Sequence, residues 1–169
     1  LLTEDRQTQG MILSWGIGRN ITLPEIKKFA KNGITNEKHE NQESKKYAEQ
    51  VAVKAVTVFD LASSLSGGNQ QEVVVAKALT SDLKRLVMDE PTKGVDVGAK
   101  AQIYDIIGKL AEQGMAVLMI SSEMPEILGM SDRIYVMCDG RVTGELDIKE
   151  ATQERILELA MTKHAGASA

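Results

Sequence analysis

Two short apolar segments on either side of one amphipathic helical pattern constrain the fold of this chain more than any other feature. Residues 85–89, RLVMD, and residues 115–121, MAVLMIS, have the length and apolar content of buried strands. The segment between them carries apolar residues at the i, i+3, i+4, i+7 spacing of a helix with one buried face, and Gly114 suits its end. The apolar residues are Ile103, Ile106, Ile107 and Leu110. A strand, a helix and a strand in this order predict a parallel pair with a crossover helix, and hence an α/β fold.

A third apolar segment, DRIYVMC at residues 132–138, also reads as a buried parallel strand. Asp139 and Gly140 after it are typical of a tight hairpin turn, so we expect an antiparallel pair with RVTGEL at residues 141–146. Residues 148–163 predict a final helix, and the closing AGASA should be disordered.

The first 60 residues differ in character from the rest. LPEIKKFAKNG, residues 23–33, predicts a helix with Pro24 near its start and Gly33 near its end. Residues 36–55 predict a polar helix with few buried positions. We therefore expect a helical appendage with a thin core.

Charge and composition narrow the functional classes. The net charge is −4, and Lys and Arg are scattered, which argues against a nucleic-acid surface. The single cysteine, Cys138, excludes an internal disulfide framework. No apolar segment approaches the roughly 20 residues that span a bilayer, and the first ten residues do not resemble a signal peptide. We expect a cytosolic chain whose membrane association comes through a partner.

The stretch LSGGNQQ, residues 65–71, puts a serine and two glycines in front of an apolar helix. Gly67 and Gly68 let a bulky anion approach the backbone, where unpaired amides and the helix dipole favour negative charge. Ser66 adds a hydroxyl donor. A serine-capped helix start with no ligand explains the same residues, so this stretch alone leaves both interpretations open.

A second stretch, MDEPTKGVD at residues 88–96, places two acids at the carboxyl end of a predicted strand, where α/β sheets bind their ligands. A carboxylate at Asp89 can orient Mg²⁺ directly or through water. A carboxylate at Glu90 can polarise a water molecule for attack on a phosphoryl group. Two solvated acids at a strand end are the alternative.

Together the two stretches resemble the signature motif and the Walker B motif with D-loop of the ATP-binding-cassette (ABC) ATPase family. Further segments are closest to the second nucleotide-binding domain of bacterial ribose, galactose and xylose type importers: TEDR (3–6), GVDVGAK (94–100) and SSEMPEILGMSDRI (121–134). The resemblance runs from about Leu2 to about His164. It implies a P-loop NTPase-like ABC cassette of the α/β class, with a parallel-sheet core and a helical subdomain.

The resemblance implies that the helix start binds nucleotide. Ser66, Gly67 and Gly68 would contact the γ-phosphate of an ATP held mainly by the opposite cassette. Asn69 stands where most signature motifs have glutamine, and Gln70 belongs to the same nucleotide-binding set.

The resemblance also implies roles for the acids. Asp89 would hold the Mg²⁺ shell, and Glu90 would be the general base for the attacking water. Asp96 would be the D-loop aspartate that crosses the interface between cassettes. Glu4 and Asp5 fall where the Q-loop glutamine is expected, which makes Glu4 a second candidate for the metal site.

Two residues depart from the family pattern. Ser122 stands where the family has its switch histidine, and a serine cannot supply an imidazole to the γ-phosphate. Losing one such donor typically costs about 3 to 4 kcal/mol of transition-state stabilisation. We therefore expect the site around Glu90 to be slow or degenerate, while the signature motif completes a competent site on the partner. Glu72, where many relatives have Arg or Lys, is expected to add a negative charge near the helix start.

The sequence contains no G-x-x-x-x-G-K-[ST] motif. We expect the N-terminal Walker A portion to be missing, the chain to be part of a longer subunit, and ATP binding by the chain alone to be poor.

We expect three regions in the chain. Residues 1–62 would form the Q-loop region and helical subdomain, 63–147 the signature helix and sheet core with its hairpin, and 148–169 the last helix and tail.

The implied function is that of a partial ATP-binding subunit of a sugar importer, with ATP and Mg²⁺ as cofactors in the intact protein. The implied partners are a second cassette, a membrane permease and, indirectly, a periplasmic or surface sugar-binding protein, with the chain at the cytoplasmic face of the membrane and no nucleic acid. An ATPase head of a chromosome-maintenance or DNA-repair protein shares both motifs, but such heads insert long heptad coiled coils before the signature, which are absent here. A mainly regulatory, catalytically degenerate cassette stays open as well.

Overall fold

The computed structural model describes residues 1–31, 33–55, 57–81 and 83–162. The chain divides into two compact units, residues 1–120 and residues 121–169. The described part of the first unit contains helices α1 (Ile17–Thr22), α2 (Glu37–Gln50), α3 (Gly67–Leu79) and α4 (Val97–Glu112), and strands β1 (Ala30–Lys31), β2 (Ile34–Thr35), β3 (Arg85–Asp89) and β4 (Ala116–Ile120). That of the second unit contains α5 (Met124–Met130), β5 (Arg133–Cys138), β6 (Arg141–Asp147) and α6 (Gln153–Ala160). Shorter turns complete the path: a π-helical turn at Arg6–Gly10, and 3-10 helices at Leu23–Phe29, Ala62–Ser64 and Ile148–Glu150.

The predicted parallel pair is confirmed. Strands β3 and β4 run parallel, with Asp89 opposite Ile120 at their carboxyl ends. The start of the chain adds a short parallel bridge on β3, where the amide of Leu2 donates to the carbonyl of Val87 at 2.7 Å. The carboxyl end of β3 is therefore held by backbone hydrogen bonds from two segments.

The crossover helix α4 is also confirmed. Its buried residues are Ile103, Ile106, Ile107 and Leu110, the four that the periodicity selects. Gly114 follows the helix end with a φ of +88°, a left-handed conformation that glycine adopts without strain.

The prediction that β4 is a buried strand is wrong. Leu86 and Met88 of β3 are buried, but Leu118 and Ile120 of β4 are 56% and 48% exposed. An apolar segment of this length indicates a tendency to form a strand. It does not report how many layers cover that strand in the described structure.

The expectation of a thin core in the N-terminal region is wrong. Helix α1 packs against α2 and α3, and its residues Ile17 and Ile21 are fully buried. Phe29 and Val51 add to this core. The polar helix predicted over 36–55 is confirmed as α2, although it ends at Gln50.

The helix predicted over residues 23–33 is only partly present. A 3-10 helix with Pro24 in its first turn ends at Phe29, and the antiparallel pair β1–β2 follows. Gly33, predicted to end a helix, lies in the turn of that pair with a φ of +80°. A glycine with positive φ suits a helix end and a hairpin turn equally, which explains the error.

The hairpin of the second unit is confirmed. Strands β5 and β6 are antiparallel, and Asp139 and Gly140 have φ values of +50° and +74°, as a type I′ turn requires. The interpretation of residues 132–138 as a buried parallel strand is wrong, because β5 pairs with β6 and buries only every second residue. Its buried residues Ile134 and Val136 pack with Leu146 and Ile156.

The helix predicted over residues 148–163 is only partly present, as α6 (Gln153–Ala160). The 3-10 helix at 148–150 is separate, because Ala151 and Thr152 are extended and Thr152 caps α6. The closing AGASA lies outside the described residues. Within the described ranges, no helix is long and apolar enough to cross a bilayer.

Candidate functional site

The start of α3 collects four of the predicted nucleotide-binding residues. Ser66 is the N-cap, and its Oγ accepts hydrogen bonds from the Asn69 amide at 3.5 Å and from Asn69 Nδ2 at 3.0 Å. Gly67 and Gly68 lie in the first turn, where α-helical geometry supplies no backbone acceptor for the amide groups. Asn69 Oδ1 in turn accepts from the Lys54 amide at 3.0 Å, which holds the segment around Lys54 beside the helix start.

Gln70 is held inside the unit. Its side chain is 4% exposed, its Nε2 donates to the carbonyl of Ala62 at 3.4 Å, and its Oε1 accepts from Gln7 Nε2 at 3.1 Å. The nucleotide-binding role of Gln70 stays a prediction, since its side chain already ties α3 to the start of the chain.

Internal packing leaves little room for a side chain at either glycine of the signature-like stretch. A Cβ atom on Gly68 would lie 2.4 Å from Cβ of Ala99 at the start of α4. A Cβ atom on Gly67 would lie 2.8 Å from Nη2 of Arg6 and 3.1 Å from the carbonyl oxygen of Gly94. The glycines therefore let the start of α3 approach α4 and the loop after β3, whether or not an anion also binds there.

A polar cavity of about 330 Å³ lies between the starts of α3 and α4. Its lining includes Lys54, Ser66, Asn69, Asp96 and Gln102. Asp96 is the N-cap of α4, and its Oδ1 accepts from the Ala99 amide at 3.0 Å. The structure thus brings the predicted residues Ser66, Asn69 and Asp96 to one cavity.

The two predicted acids follow one another at the end of β3. Asp89 is the last residue of the strand, and the amide of Glu90 donates to the carbonyl of Ile120 at 2.8 Å. Glu90 has a φ of +46°, a left-handed conformation that costs a non-glycine residue about 1 kcal/mol or more. The backbone of the predicted general base is therefore held in a strained conformation by its neighbours.

Lys93 links Glu4 to these acids. Its ammonium forms an ion pair with the Glu4 carboxylate, and this hydrogen bond is the main reason that the pKa of Lys93 is raised. The charges of Glu90 and Asp89 act in the same direction, so the lysine lies in the field of all three acids.

The described residues contain no group of three or more acid, histidine or cysteine side chains arranged to hold a metal. Mg²⁺ commonly takes only one or two carboxylates plus phosphate oxygens and water, so the acids at the end of β3 fit such an ion.

Ser122 lies just after β4, in the segment that leads to α5 of the second unit. The neighbouring Ser121 Oγ accepts from the Glu123 amide at 3.0 Å, which shapes the turn into that helix. The role of Ser122 in place of a switch histidine stays a prediction.

The expectation that Glu72 adds a negative charge near the helix start is wrong below neutral pH. Its side chain is 1% exposed, and Oε2 has no hydrogen-bond partner among the described residues. Burial raises the pKa of Glu72 to about 7, although the positive charge of Lys54 acts in the opposite direction. The group is therefore largely uncharged below neutral pH.

Sequence reasoning missed two side chains near the site. Lys54 carries no local pattern that distinguishes it from a surface lysine. Arg6 lies within the TEDR segment and contacts both Gly67 and the loop after β3. Only its membership of that recognisable segment marks it in the sequence.

Solved structures of known proteins share the fold of this chain. The chain superposes on the ATP-binding cassette MJ1267 with a TM-score of 0.75 at 24% identity, covering 93% of this chain and 66% of that one. The dimeric cassette MJ0796 bound to ADP and Pi gives a TM-score of 0.70 at 24% identity, with 84% of this chain and 60% of that chain covered. The fold is therefore that of an ATP-binding cassette, which confirms the predicted fold class.

The family model of the ABC transporter matches residues 6–93, just over half of the chain, and the chain belongs to this family. It is 48% identical over 164 residues to the putative ribose/galactose/methyl galactoside import ATP-binding protein 1 of Rhizobium etli. That alignment covers 97% of this chain and 31% of the relative. The chain is also 50% identical to the L-arabinose transport ATP-binding protein AraG of Geobacillus stearothermophilus. That alignment covers 97% of this chain and 32% of the relative. The chain thus spans about a third of the length of these curated relatives.

The close approach of the two helices predicts a cost for Gly68→Ala. The new methyl group cannot share its position with Ala99, so we expect a loss of about 1 to 3 kcal/mol in the free energy of unfolding. Adding Ala99→Gly should restore most of this loss, because it removes the opposing methyl group. Urea-induced unfolding followed by circular dichroism measures both effects.

Gly108→Ala in α4 is the matched control for Gly68→Ala. A Cβ atom there meets nothing within 4 Å, so we expect a gain of roughly 0.5 to 1 kcal/mol. Equal stability of Gly68→Ala and the unsubstituted protein would contradict the packing argument.

The buried carboxyl of Glu72 predicts a specific dependence of stability on pH. A pKa raised from 4.5 to about 7 means that the folded state holds a proton that the unfolded state releases. Stability should therefore fall as pH rises from about 4.5 to about 7, by up to roughly 3 kcal/mol. Glu72→Gln should remove this fall, so the variant gains on the unsubstituted protein between pH 5 and pH 8. Urea midpoints at both pH values measure the gain, and parallel pH profiles would contradict the assignment.

Proposed function

We propose that the chain is part of the ATP-binding subunit of a monosaccharide importer. In this role the start of α3 receives the terminal phosphate of an ATP that a second cassette holds. The relatives support the substrate class, since they are named as import or transport proteins for ribose, galactose, methyl galactoside and arabinose. The observation that carries the proposal is the cavity that joins Ser66 at the start of α3 to Asp96 at the start of α4.

The electrostatics of that cavity favour a phosphate. Two helices of 13 and 16 residues begin at its walls, and the first-turn amides and dipoles of both favour negative charge there. Lys54 adds a positive side chain to the lining. Asp96 directs its Oδ1 to the Ala99 amide, so one of its oxygens is already engaged.

The acids at the end of β3 supply the second half of the proposed chemistry. Asp89 would hold Mg²⁺, which when bound neutralises charge on the phosphates. Glu90 would orient and deprotonate the attacking water. The hydrogen bond from its amide to the carbonyl of Ile120 fixes the backbone that carries this side chain. Glu4 is the further candidate for the metal shell, and its ion pair with Lys93 must then open or be shared.

The proposed assembly contains a second cassette and a membrane permease at the cytoplasmic face of the membrane. A sugar-binding protein would deliver the substrate to the permease without contacting this chain. ATP would close the two cassettes head to tail, and closure would reorient the permease. The dimeric cassette bound to ADP and Pi supports the geometry of such a pair by its shared fold.

A mainly regulatory cassette is the second candidate, and Ser122 is the observation that favours it. If the Glu90 site is slow, Glu90→Gln in the intact subunit should lower the rate of ATP hydrolysis by about twofold or less. The matching change in the other cassette should lower the rate roughly a hundredfold or more, as expected for loss of a general base. Equal losses in the two variants would contradict the degenerate-site interpretation.

Ser66 provides the test of phosphate binding. Asp and Asn cap helices about as well as Ser, so Ser66→Asp and Ser66→Asn should both keep the stability within about 0.5 kcal/mol. Only Ser66→Asp places an anion beside the proposed phosphate. We expect it to lower ATP hydrolysis and sugar uptake by the intact transporter in liposomes about tenfold or more below Ser66→Asn. Equal activities of the two variants would contradict the proposed site.

A further inference from the structure

The segment of residues 2–7, here called the crossing segment, contacts three separate parts of the first unit. Leu2 forms its bridge with β3, and Glu4 pairs with Lys93 in the loop of residues 90–96, here called the post-strand loop. Gln7 donates from Nε2 to Gln70 Oε1 in α3 at 3.1 Å. The crossing segment therefore connects the strand, the loop with the acids and the helix that begins at Ser66.

Arg6 is the central contact of this segment. Its Nη1 donates to the carbonyl of Lys93 at 2.7 Å, and its Nη2 donates to the carbonyl of Gly94 at 3.2 Å. The same Nη2 lies where a Cβ atom on Gly67 would be only 2.8 Å away. The guanidinium thus fills the space between two successive carbonyls of the post-strand loop and the first residue of α3.

The positions that Arg6 holds are adjacent to the two walls of the cavity. Gly67 follows Ser66, and Gly94 precedes Asp96 by two residues. Ser66 and Asp96 both line the cavity between α3 and α4. Arg6 therefore contacts a residue close to each wall of the cavity, Gly67 on one side and Gly94 on the other.

The hydrogen bonding of Arg6 favours a geometric role over a purely stabilising one. Its Nε is buried and has no acceptor among the described residues. Leaving a buried donor unpaired costs about 1 to 3 kcal/mol. A side chain at this position that served stability alone would gain by pairing or replacing that donor.

We propose that Arg6 is a positioning residue, which fixes the post-strand loop against Gly67 so that Ser66 and Asp96 act on the phosphate as one surface. This inference rests on the proposed function. Arg6 does not touch the nucleotide in this scheme. Its loss leaves the ATP on the second cassette but misplaces the groups that act on the transition state.

The test uses the intact ATP-binding subunit assembled with its permease in liposomes. Arg6→Met removes the guanidinium and keeps an apolar stem, while Arg6→Lys keeps the charge but cannot donate to two carbonyls in a fixed fork. We expect Arg6→Met to lower kcat for ATP hydrolysis roughly tenfold to a hundredfold with KM for ATP changed at most about threefold. Arg6→Lys should recover part of kcat. Arg141→Met, at an exposed position of the hairpin in the second unit, is the control for loss of one arginine and should match the unsubstituted protein.

Amide hydrogen exchange gives a second measurement that does not depend on activity. Arg6→Met and Arg6→Lys should both speed exchange at the hydrogen-bonded amides of Val95, Asn69 and Gln70, and leave β5 and β6 unchanged. Unchanged kcat in folded Arg6→Met, or unchanged exchange at those amides in both variants, would overturn the inference.

The Ser66 variants separate this inference from the proposed function. If Ser66→Asp loses activity relative to Ser66→Asn while Arg6→Met keeps its kcat, Arg6 is not a positioning residue and the phosphate site stands. If the two Ser66 variants are equally active, the proposed function itself fails, and the positioning role of Arg6 fails with it. A fall in the melting temperature with normal kcat below that temperature would assign Arg6 to stability alone.

Discussion

The contact between the start of α3 and the start of α4 is the constraint on which the candidate site depends. The two helices approach so closely that a side chain on Gly68 would overlap Ala99. Each helix is capped by a polar residue, Ser66 on one and Asp96 on the other, and each cap satisfies an amide of its own first turn. The remaining first-turn amides have no acceptor in an α-helix. Close packing therefore creates a polar cavity with two positive helix ends, and the glycines serve this packing before any ligand arrives.

The fold was predictable where the signal is local and periodic. Helix α4 spans more than four turns, so its apolar spacing is repeated often enough to identify the buried face. The hairpin β5–β6 depends on a dipeptide with a specific backbone conformation, which two residues are enough to specify. Helix α1 has six residues and gives no such repetition. Its position depends on Asn20, whose buried side chain accepts from the Ile12 amide at 2.7 Å and donates back to the Ile12 carbonyl at 3.0 Å, a contact that no periodic pattern reveals.

The site was predictable in its chemical groups and less so in its surroundings. Contiguous motifs identified Ser66 and Asp96, and the structure places both at one cavity. The motifs did not identify Arg6, because its partners at positions 93 and 94 are more than 80 residues away in the chain. Glu72 failed for a different reason. The sequence predicted a negative charge near the helix start, but helix α3 packs against several other elements, and a carboxyl group whose pKa is raised to about 7 can be buried without a permanent charge.

The post-strand loop shows why the motif alone could not give the geometry of the acids. Glu90 and Gly94 both have positive φ values, +46° and +67°, within five residues of the chain. Only the glycine adopts this conformation without strain, so the loop holds its shape through contacts from elsewhere. Glu4 pairs with the side chain of Lys93, and Arg6 binds the carbonyl oxygens of Lys93 and Gly94. The orientation of the residues that follow Asp89 is thus determined by the first few residues of the chain as much as by the motif itself.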